Sequence, residues 1–403
     1  MLDRRSAEQA IFKRVWGVLV LAASLLAVAA NAQEWPKAEP KAVGLEAAKL
    51  AAFDADLAGG SYGLVDSMLV IRCGQAAYEK TYAHDYNKIY GDRAKTAGPL
   101  NHVVNGEYNY FSTEFHPYYQ HRDIHTMQSV SKTVTSVTIG AAMQRKEFSV
   151  DLDTPVLKYF ADYKIANLDD RKRRIRLRDL LTMTAGLEWH EDLAYDDPKN
   201  SADVMEGRHD WVQYVIDQPM AEEPGKKFVY NSGATQLLSH IFKKVTGKNV
   251  DEYAAEYVFK PLNIHYYWKH SPTGLPDTEG GLYLSTQDLA QLGALYLHDG
   301  VWNGKQIVPS EWVKLSVSPQ VQVAEDGYKY GFKWWLQPHG KPEKLSWEGR
   351  GFGGQNLIVI PEYQTIAVFT GWSILPSTEG KRYDNLARVM EAVDTKYACP
   401  AAK

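Results

Sequence analysis

The first part of the chain changes from a helical pattern to a strand pattern. Residues 45–57 (LEAAKLAAFDADL) repeat apolar positions at helical spacing and stop at a pair of glycines, which predicts a helix. Residues 67–72 (SMLVIR) and 76–82 (AAYEKTY) flank a short Cys-Gly-Gln turn. Two β-rich runs separated by so short a turn predict a β-hairpin.

The middle of the chain repeats apolar residues at helical spacing from residue 129 to about residue 300. The clearest predicted helices are 129–145, 202–217, 235–246, 251–259 and 286–298. After residue 301 the pattern changes to short runs that are rich in β-branched and aromatic residues. These runs predict strands at 330–336, 356–360 and 365–370, followed by a closing helix at 384–395.

The order of these elements predicts the architecture. Two strands precede the helical block and about three follow it, and neither group is a stable sheet alone. The two groups therefore share one sheet, and we predict an α+β fold. A sheet domain comprises residues 33–124 and 316–403, and a helical domain comprises residues 125–315.

Composition and charge indicate a folded globular protein and argue against a nucleic-acid-binding protein. The chain has 403 residues, with 45 Lys and Arg against 49 Asp and Glu, which gives a formal net charge of −4. This balance is typical of a folded globular protein and does not favour nucleic acid as a partner. The basic run 171–178 lies beside three aspartates, so we interpret it as a solvated, charge-paired segment.

The N-terminal residues 1–32 have the three-part pattern of a secretory signal peptide. Four basic and two acidic residues in 1–14 precede an uncharged apolar run at 15–30. Ala30, Asn31 and Ala32 then supply the small-x-small pattern of a signal-peptidase site. An uncleaved membrane anchor is the alternative, although the run is short for one. We predict an exported protein, periplasmic or secreted, without stable membrane insertion after cleavage.

The first candidate for chemistry is the run SVSK, which places Ser129 three residues before Lys132. This spacing brings both side chains to the same side of a predicted helix. A serine becomes a good nucleophile when a base removes its proton, and a lysine in an apolar helix can be that base. A surface serine beside a solvated lysine is the alternative, since S-x-x-K alone is common.

Two further segments can complete such a site. Tyr230 and Ser232 lie just before a predicted helix, where their hydroxyl groups can relay a proton for a Ser–Lys pair. A core tyrosine beside a helix cap is the alternative. The run 349–355 (GRGFGGQ) precedes a strand, and its glycines would allow a substrate to approach and an N–H group to bind an oxyanion. An ordinary glycine-rich loop is the alternative there.

The three motifs, in this order, resemble those of the serine β-lactamase and penicillin-binding protein superfamily. The chain is most similar to its class C-like branch of esterases, D-amino-acid peptidases and 6-aminohexanoate-dimer hydrolases. Supporting phrases are LRDLLTMTAGL at 177–187, EGGLYLSTQDLAQLG at 279–293 and YGFKWW at 330–335. The resemblance implies a β-lactamase/transpeptidase-like fold with a five-stranded antiparallel sheet, flanked by terminal helices, and an inserted all-helical domain.

The resemblance also implies roles for individual residues. Ser129 would be the acylated nucleophile, Lys132 its partner base and Tyr230 a proton shuttle. The backbone N–H groups of Ser129 and Phe352 would form the oxyanion hole. The candidate substrate-binding residues are Ser232, Gly349, Gly351 and Trp189. The resemblance implies neither a cofactor nor a metal ion.

One departure from the family pattern concerns the substrate. Gly349 stands where β-lactamases usually have a lysine that holds the substrate carboxylate. Arg350 could substitute for it, but neighbouring side chains of a strand point to opposite faces. We therefore predict an exported serine hydrolase that acts on a carboxylic ester or a small amide. β-Lactamase or D-alanyl peptidase activity, and a non-catalytic wall-binding protein, are the alternatives.

The aromatic-rich stretch 108–119 is longer than is usual in this branch. It either forms a wall of the substrate cleft or packs onto the sheet as an inserted loop, and the sequence favours neither.

The two cysteines, Cys73 and Cys399, are expected to form a disulfide. In the sheet of this family the last strand lies beside the first and antiparallel to it, so the end of the first strand is level with residue 364. The closing helix then returns over the sheet and brings Cys399 near Cys73. An exported compartment would permit oxidation, whereas two free thiols are the alternative.

Overall fold

The computed structural model describes residues 35–323, 327–381 and 384–400, so the predicted signal peptide lies outside the described residues. The helices are α1 (Ala47–Ala58), α2 (Tyr86–Tyr90), α3 (Val130–Gln144), α4 (Asp170–Arg173), α5 (Leu177–Leu181), α6 (Ser201–Glu206), α7 (Trp211–Asp217), α8 (Ser232–Thr246), α9 (Val250–Ala254), α10 (Lys260–Leu262), α11 (Thr286–Leu297), α12 (Ser310–Ser316) and α13 (Asn385–Ala392). Within these residues, none of the helices has the length and apolar character needed to span a membrane.

The strands are β1 (Val65–Arg72), β2 (Gln75–Thr81), β3 (His125–Thr126), β4 (Tyr266–Trp268), β5 (Leu282–Leu284), β6 (Val301–Trp302), β7 (Lys305–Gln306), β8 (Val321–Gln322), β9 (Lys329–Tyr330), β10 (Trp335–His339), β11 (Lys344–Gly351), β12 (Gln355–Ile360) and β13 (Thr365–Gly371). The main sheet has the order β2-β1-β13-β12-β11-β10-β9-β8, and its strand pairs are antiparallel. Strands from both ends of the chain therefore share one sheet, as predicted, and the fold is α+β.

Within the part of the chain that the structure describes, the main sheet has eight strands, so the expectation of five was wrong. The predicted strand 330–336 is two strands, β9 and β10, because the chain bends between them at Lys333, whose φ is 64°. Strand β8 adds a short edge next to β9. Strand β11 begins at Lys344, in a segment with too many charged residues to show a strand pattern.

Helices cover both faces of this sheet. Along β1, Met68 and Val70 belong to a core shared with α1 and α13, whereas Leu69 and Ile71 belong to a larger core shared with α3 and α8. Successive strand residues point to opposite faces, and β1 is buried along its whole length because both faces are covered. The larger core contains sheet and helix residues together, and the predicted division into two domains stays a prediction.

Cys73 and Cys399 are joined by a disulfide, with 5.3 Å between their Cα atoms. Cys73 directly follows β1, and its N–H donates to the carbonyl oxygen of Gln364, just before β13, at 3.0 Å. Cys399 lies beyond α13, which packs against α1 on the same face. The bond therefore ties the C-terminal segment to the end of the first strand.

Candidate active site

A sharp turn before α3 positions Ser129. Gln128 has a φ of 48°, in the left-handed region that residues other than glycine seldom adopt, and Ser129 is the residue just before the helix. Backbone strain of this kind persists where surrounding contacts enforce it, and it often marks functional sites. The helix is fixed from outside as well, since the Thr133 hydroxyl donates to the carbonyl oxygen of Lys333 at 2.8 Å.

Lys132 lies one turn further along α3, and only 1% of it is exposed. Its Nζ is 2.7 Å from Ser129 Oγ, 2.8 Å from the carbonyl oxygen of Glu279 and 3.4 Å from Glu279 Oε2. The structure therefore brings the two residues of the S-x-x-K motif into direct contact. An amine in this position can exchange a proton with the serine hydroxyl.

Tyr230 reaches the same place from the segment before α8. Its ring stacks on the Trp335 ring, with 5.6 Å between the centroids, and Lys132 Nζ lies 5.2 Å from the Tyr230 centroid. Asn231 caps α8, because its Oδ1 accepts a hydrogen bond from the N–H of Ala234 at 2.8 Å. Ser129, Lys132 and Tyr230 thus come together although about 100 residues separate the motifs along the chain.

A buried glutamate, Glu191, organises the other wall of the site. Its carboxylate accepts hydrogen bonds from Trp189 Nε1 and from the Tyr195 hydroxyl, each at 2.7 Å. It also accepts from the N–H of Ser232 at 2.7 Å and from the Ser232 hydroxyl at 2.5 Å. Glu191 could not be predicted from the sequence, since a single acidic residue in a loop carries no signal.

The end of strand β11 lies against the turn that carries Ser129. A Cβ atom at Gly351 would collide with the carbonyl oxygen of Met127, so only glycine allows this close approach. Phe352 follows directly and lines the space beside Ser129. Ser129 and Phe352, the two positions expected from the sequence to form an oxyanion hole, therefore border the same space.

Gly349 faces the helix rather than open space. A Cβ atom there would lie 3.1 Å from Val130 Cγ1 and 3.3 Å from Thr133 Oγ1, so a longer side chain would press against α3. The neighbouring Arg350 is 7% exposed, and its Nε donates to Glu348 Oε2 at 2.8 Å. That carboxylate neutralises much of the guanidinium charge.

The site opens into a cleft of about 380 Å³. Its lining includes Ser129, Glu191, Tyr195, Tyr230, Trp335 and Phe352. Of the predicted substrate-binding residues, Gly351 lines the cleft, whereas Trp189, Ser232 and Gly349 are not among the described residues that line it. Their contacts with a substrate stay a prediction, and Trp189 and Ser232 act on the cleft through Glu191.

A second, much smaller cavity also borders Ser129. Its volume is about 10 Å³, and its lining includes Tyr110, Gln128, Ser129, Glu206, Glu279 and Phe352. Burial, and then the charge of Glu279, raises the pKa of Glu206 well above its ordinary value. The same two causes raise the pKa of the nearby Asp277 to about 6. Neither Glu206 nor Asp277 was predicted from the sequence, because no motif marks them.

The aromatic stretch 108–119 packs as an inserted loop. The rings of Tyr108 and Tyr110 lie with their centroids 4.2 and 4.8 Å from Nζ of the buried Lys269. His116 stacks on Trp372, just beyond β13, with 5.0 Å between ring centroids. No residue of the stretch is among the described residues that line the large cleft, although Tyr110 lines the small cavity.

Another buried lysine, Lys333, was not predicted as a site residue, although the phrase YGFKWW contains it. It is 1% exposed, and its Nζ lies 3.2 Å from Met183 Sδ. Burial, and then the positive charge of Lys132, holds the pKa of Lys333 well below its ordinary value.

Comparison with known proteins identifies a matching family model and two similar sequences. The family model for beta-lactamases matches residues 63–385 of this chain. An uncharacterized protein of Alkalihalophilus pseudofirmus is 27% identical over 287 residues, which cover 67% of this chain and 79% of that protein. A 6-aminohexanoate-dimer hydrolase of Paenarthrobacter ureafaciens is 24% identical over 267 residues, which cover 61% of this chain and 65% of the hydrolase.

A solved structure shows the same fold. The D-stereospecific amidohydrolase of a Streptomyces species superposes with a TM-score of 0.58 at 18% sequence identity. The superposition covers 86% of this chain and 99% of the amidohydrolase. At this identity the likeness shows the fold, and activity has to be argued from the site.

Proposed function

The chain belongs to the beta-lactamase family, whose relatives include hydrolases, and from that premise we propose an exported serine hydrolase that forms an acyl-enzyme on Ser129. The observation that carries the proposal is the 2.7 Å contact between Ser129 Oγ and the buried Lys132 Nζ. A serine at the start of a buried helix, beside an amine and facing a cleft, is equipped for acyl transfer.

The proposed reaction begins when Ser129 Oγ attacks the carbonyl carbon of the substrate. The serine proton passes to the Lys132–Tyr230 pair, and the carbonyl oxygen becomes an oxyanion that the N–H groups of Ser129 and Phe352 stabilise. When the bond to the leaving group breaks, that group takes the proton and an ester to Ser129 Oγ remains. Water then hydrolyses this ester and restores the serine hydroxyl.

We further propose that the substrate is a carboxylic ester or a small amide. The packing of Gly349 against α3 and the pairing of Arg350 with Glu348 both support this, because neither residue offers an unpaired cation to the carboxylate of a β-lactam. The test is a parallel assay of p-nitrophenyl butyrate and nitrocefin. Much faster hydrolysis of nitrocefin would contradict the proposed preference.

Replacing the nucleophile tests the proposed chemistry. Ser129→Ala should lower kcat/KM for p-nitrophenyl butyrate by at least about a thousandfold. Ser136→Ala, which removes a buried hydroxyl from the same helix, is the matched control and should retain most of the activity. Turnover by Ser129→Ala at the level of this control would contradict the proposal.

Export is part of the proposal and rests on the N-terminal sequence pattern alone. Expression of the full chain in a Gram-negative host, followed by N-terminal sequencing of the periplasmic and membrane fractions, would test it. Processing after Ala32 is the expected result. A full-length chain in the membrane fraction would support the uncleaved anchor instead.

A further inference from the structure

The small cavity beside Ser129 has the size and the lining for one water molecule. Its volume of about 10 Å³ matches the space that a single water occupies in protein interiors. Such a water also needs polar partners, and the side chains of Gln128, Glu206 and Glu279 line the cavity. A polar cavity of this size next to a nucleophile is a suitable place for the water that hydrolyses an acyl-enzyme.

We propose that Glu279 is the general base of deacylation and that it activates a water molecule held in this cavity. The inference rests on the acyl-enzyme proposed above and assigns the residue that drives its hydrolysis. Glu279 is 5% exposed, so bulk water has little access to its carboxylate. It lies 147 residues from Lys132 along the chain but contacts it through both its carbonyl oxygen and Oε2.

The two glutamates that line the cavity differ in what their carboxylates contact. Glu206 Oε1 accepts from the Tyr110 hydroxyl at 2.6 Å, and burial, followed by the charge of Glu279, raises the pKa of Glu206 well above its ordinary value. Glu279 Oε2 instead lies 3.4 Å from Lys132 Nζ, which itself lies 2.7 Å from Ser129 Oγ. A proton that Glu279 accepts therefore has a path to the serine oxygen, and Glu279 is the glutamate placed to act as the base.

The position of the cavity also fits an attack on the ester. Its lining includes Ser129 and Phe352, whose N–H groups are proposed to bind the oxyanion. A water there would border Ser129, the residue that carries the acyl group in the proposed intermediate. Asp277 Oδ1 accepts from the N–H of Glu279 at 3.2 Å and from the N–H of Gly280 at 2.8 Å, which fixes the backbone that carries the base.

The proposed deacylation forms one bond to the acyl carbon, breaks another, and returns every transferred proton. The water oxygen forms a bond to the acyl carbon while one water proton moves to the Glu279 carboxylate. The tetrahedral intermediate then collapses and the bond between the acyl carbon and Ser129 Oγ breaks. Lys132 gives a proton to Oγ at 2.7 Å and takes one from Glu279 at 3.4 Å. The products are a carboxylic acid and the original serine hydroxyl, and both Lys132 and Glu279 return to their starting states.

The test separates deacylation from acylation. In Glu279→Gln, the amide keeps an oxygen that can accept from Lys132, but it cannot take a proton from water. With p-nitrophenyl butyrate, we expect a burst of about one equivalent of nitrophenol, followed by steady turnover about a hundredfold below wild type. Intact-mass analysis of quenched samples should show a butyryl adduct on the variant. Asp288→Asn is the matched control: it removes a buried carboxylate outside the described residues that line the small cavity, keeps an oxygen that can accept from the Ser285 hydroxyl, and should accumulate no adduct.

Several outcomes would overturn the inference. Wild-type turnover by Glu279→Gln would exclude an essential base, and slow turnover with neither burst nor adduct would place the residue in acylation or in folding. An adduct of equal amount in Asp288→Asn would indicate a general effect of removing buried charge. A failure of the proposed acyl-enzyme function would give a different result. In that case the wild type and Ser129→Ala would hydrolyse the ester at equal rates.

Discussion

Two buried glutamates flank the nucleophile, and they differ in the groups that they contact. Glu191 accepts four hydrogen bonds from neutral donors, which come from Trp189, Tyr195 and Ser232. Glu279 contacts the Lys132 amine and lines a cavity large enough for about one water. Burying a carboxylate is costly unless its oxygens are bonded, and the two sites meet this requirement in different ways.

The difference indicates which glutamate shapes the site and which one reacts. The oxygens of Glu191 are held by donors from the loop before α6 and from the first turn of α8, so the carboxylate ties two segments of the cleft wall together. Glu279 has an amine and a water-sized space beside it, so proton transfer there leaves the surrounding segments in place.

Among the variants around these two glutamates, the largest expected effect comes from the proton relay formed by Tyr230 and Lys132. Tyr230→Phe and Lys132→Ala should each lower kcat by at least about a hundredfold with little change in KM, because either loss interrupts the same proton path. The double variant should be little worse than the single ones. Steady-state kinetics on p-nitrophenyl butyrate provide the measurement. Losses that multiply in the double variant would mean that the two residues act independently.

The next largest effect tests whether Glu191 has a structural role, in contrast to the reacting role proposed for Glu279. Glu191→Gln turns one acceptor oxygen into an NH₂ group that faces other donors, so the cleft wall loses hydrogen bonds. We expect KM to rise about tenfold, kcat to stay within about threefold, and the free energy of unfolding to fall by about 2 kcal/mol. Kinetics and urea denaturation check this, with the exposed Glu188→Gln as the control. A fall in kcat at constant KM would make Glu191 a reacting group and remove the distinction.

A smaller effect is expected in the pH dependence of stability on the Glu279 side. The pKa of Asp277 is about 6 in the folded protein, above its ordinary value of 3.8, so the folded state binds more protons between these pH values. Stability should therefore fall as pH rises through this window, by about 2–3 kcal/mol at most from this group. Urea denaturation from pH 4 to pH 7 should show that Asp277→Asn lacks this contribution. Parallel pH profiles for variant and wild type would contradict the assignment.

The sequence predicted the parts of the site that depend on local spacing. Ser129 and Lys132 lie three residues apart on one helix, so their contact follows from helical geometry alone. The contacts of Glu191 with Ser232 and of Glu279 with Lys132 join residues 41 and 147 positions apart. No periodicity of the chain encodes such pairs, because tertiary packing creates them.

The elements of the fold, like those of the site, could be predicted only where a local sequence pattern marks them. The hairpin and the strands near the C-terminus were predicted because β-branched residues mark them clearly. The division of one predicted strand into β9 and β10 depends on the left-handed φ of Lys333, a residue type that gives no warning of a bend. The extra edge strands extend the sheet without a hydrophobic pattern of their own.

The central claim is that Ser129 is the nucleophile, and active-site labelling tests it most directly. A fluorophosphonate should react with about one serine per chain, abolish hydrolysis of p-nitrophenyl butyrate, and modify the peptide that contains Ser129. Ser129→Ala should take up no label while keeping the thermal stability of the wild type. Labelling of the wild type at another serine, or full ester hydrolysis after complete modification of Ser129, would contradict the account.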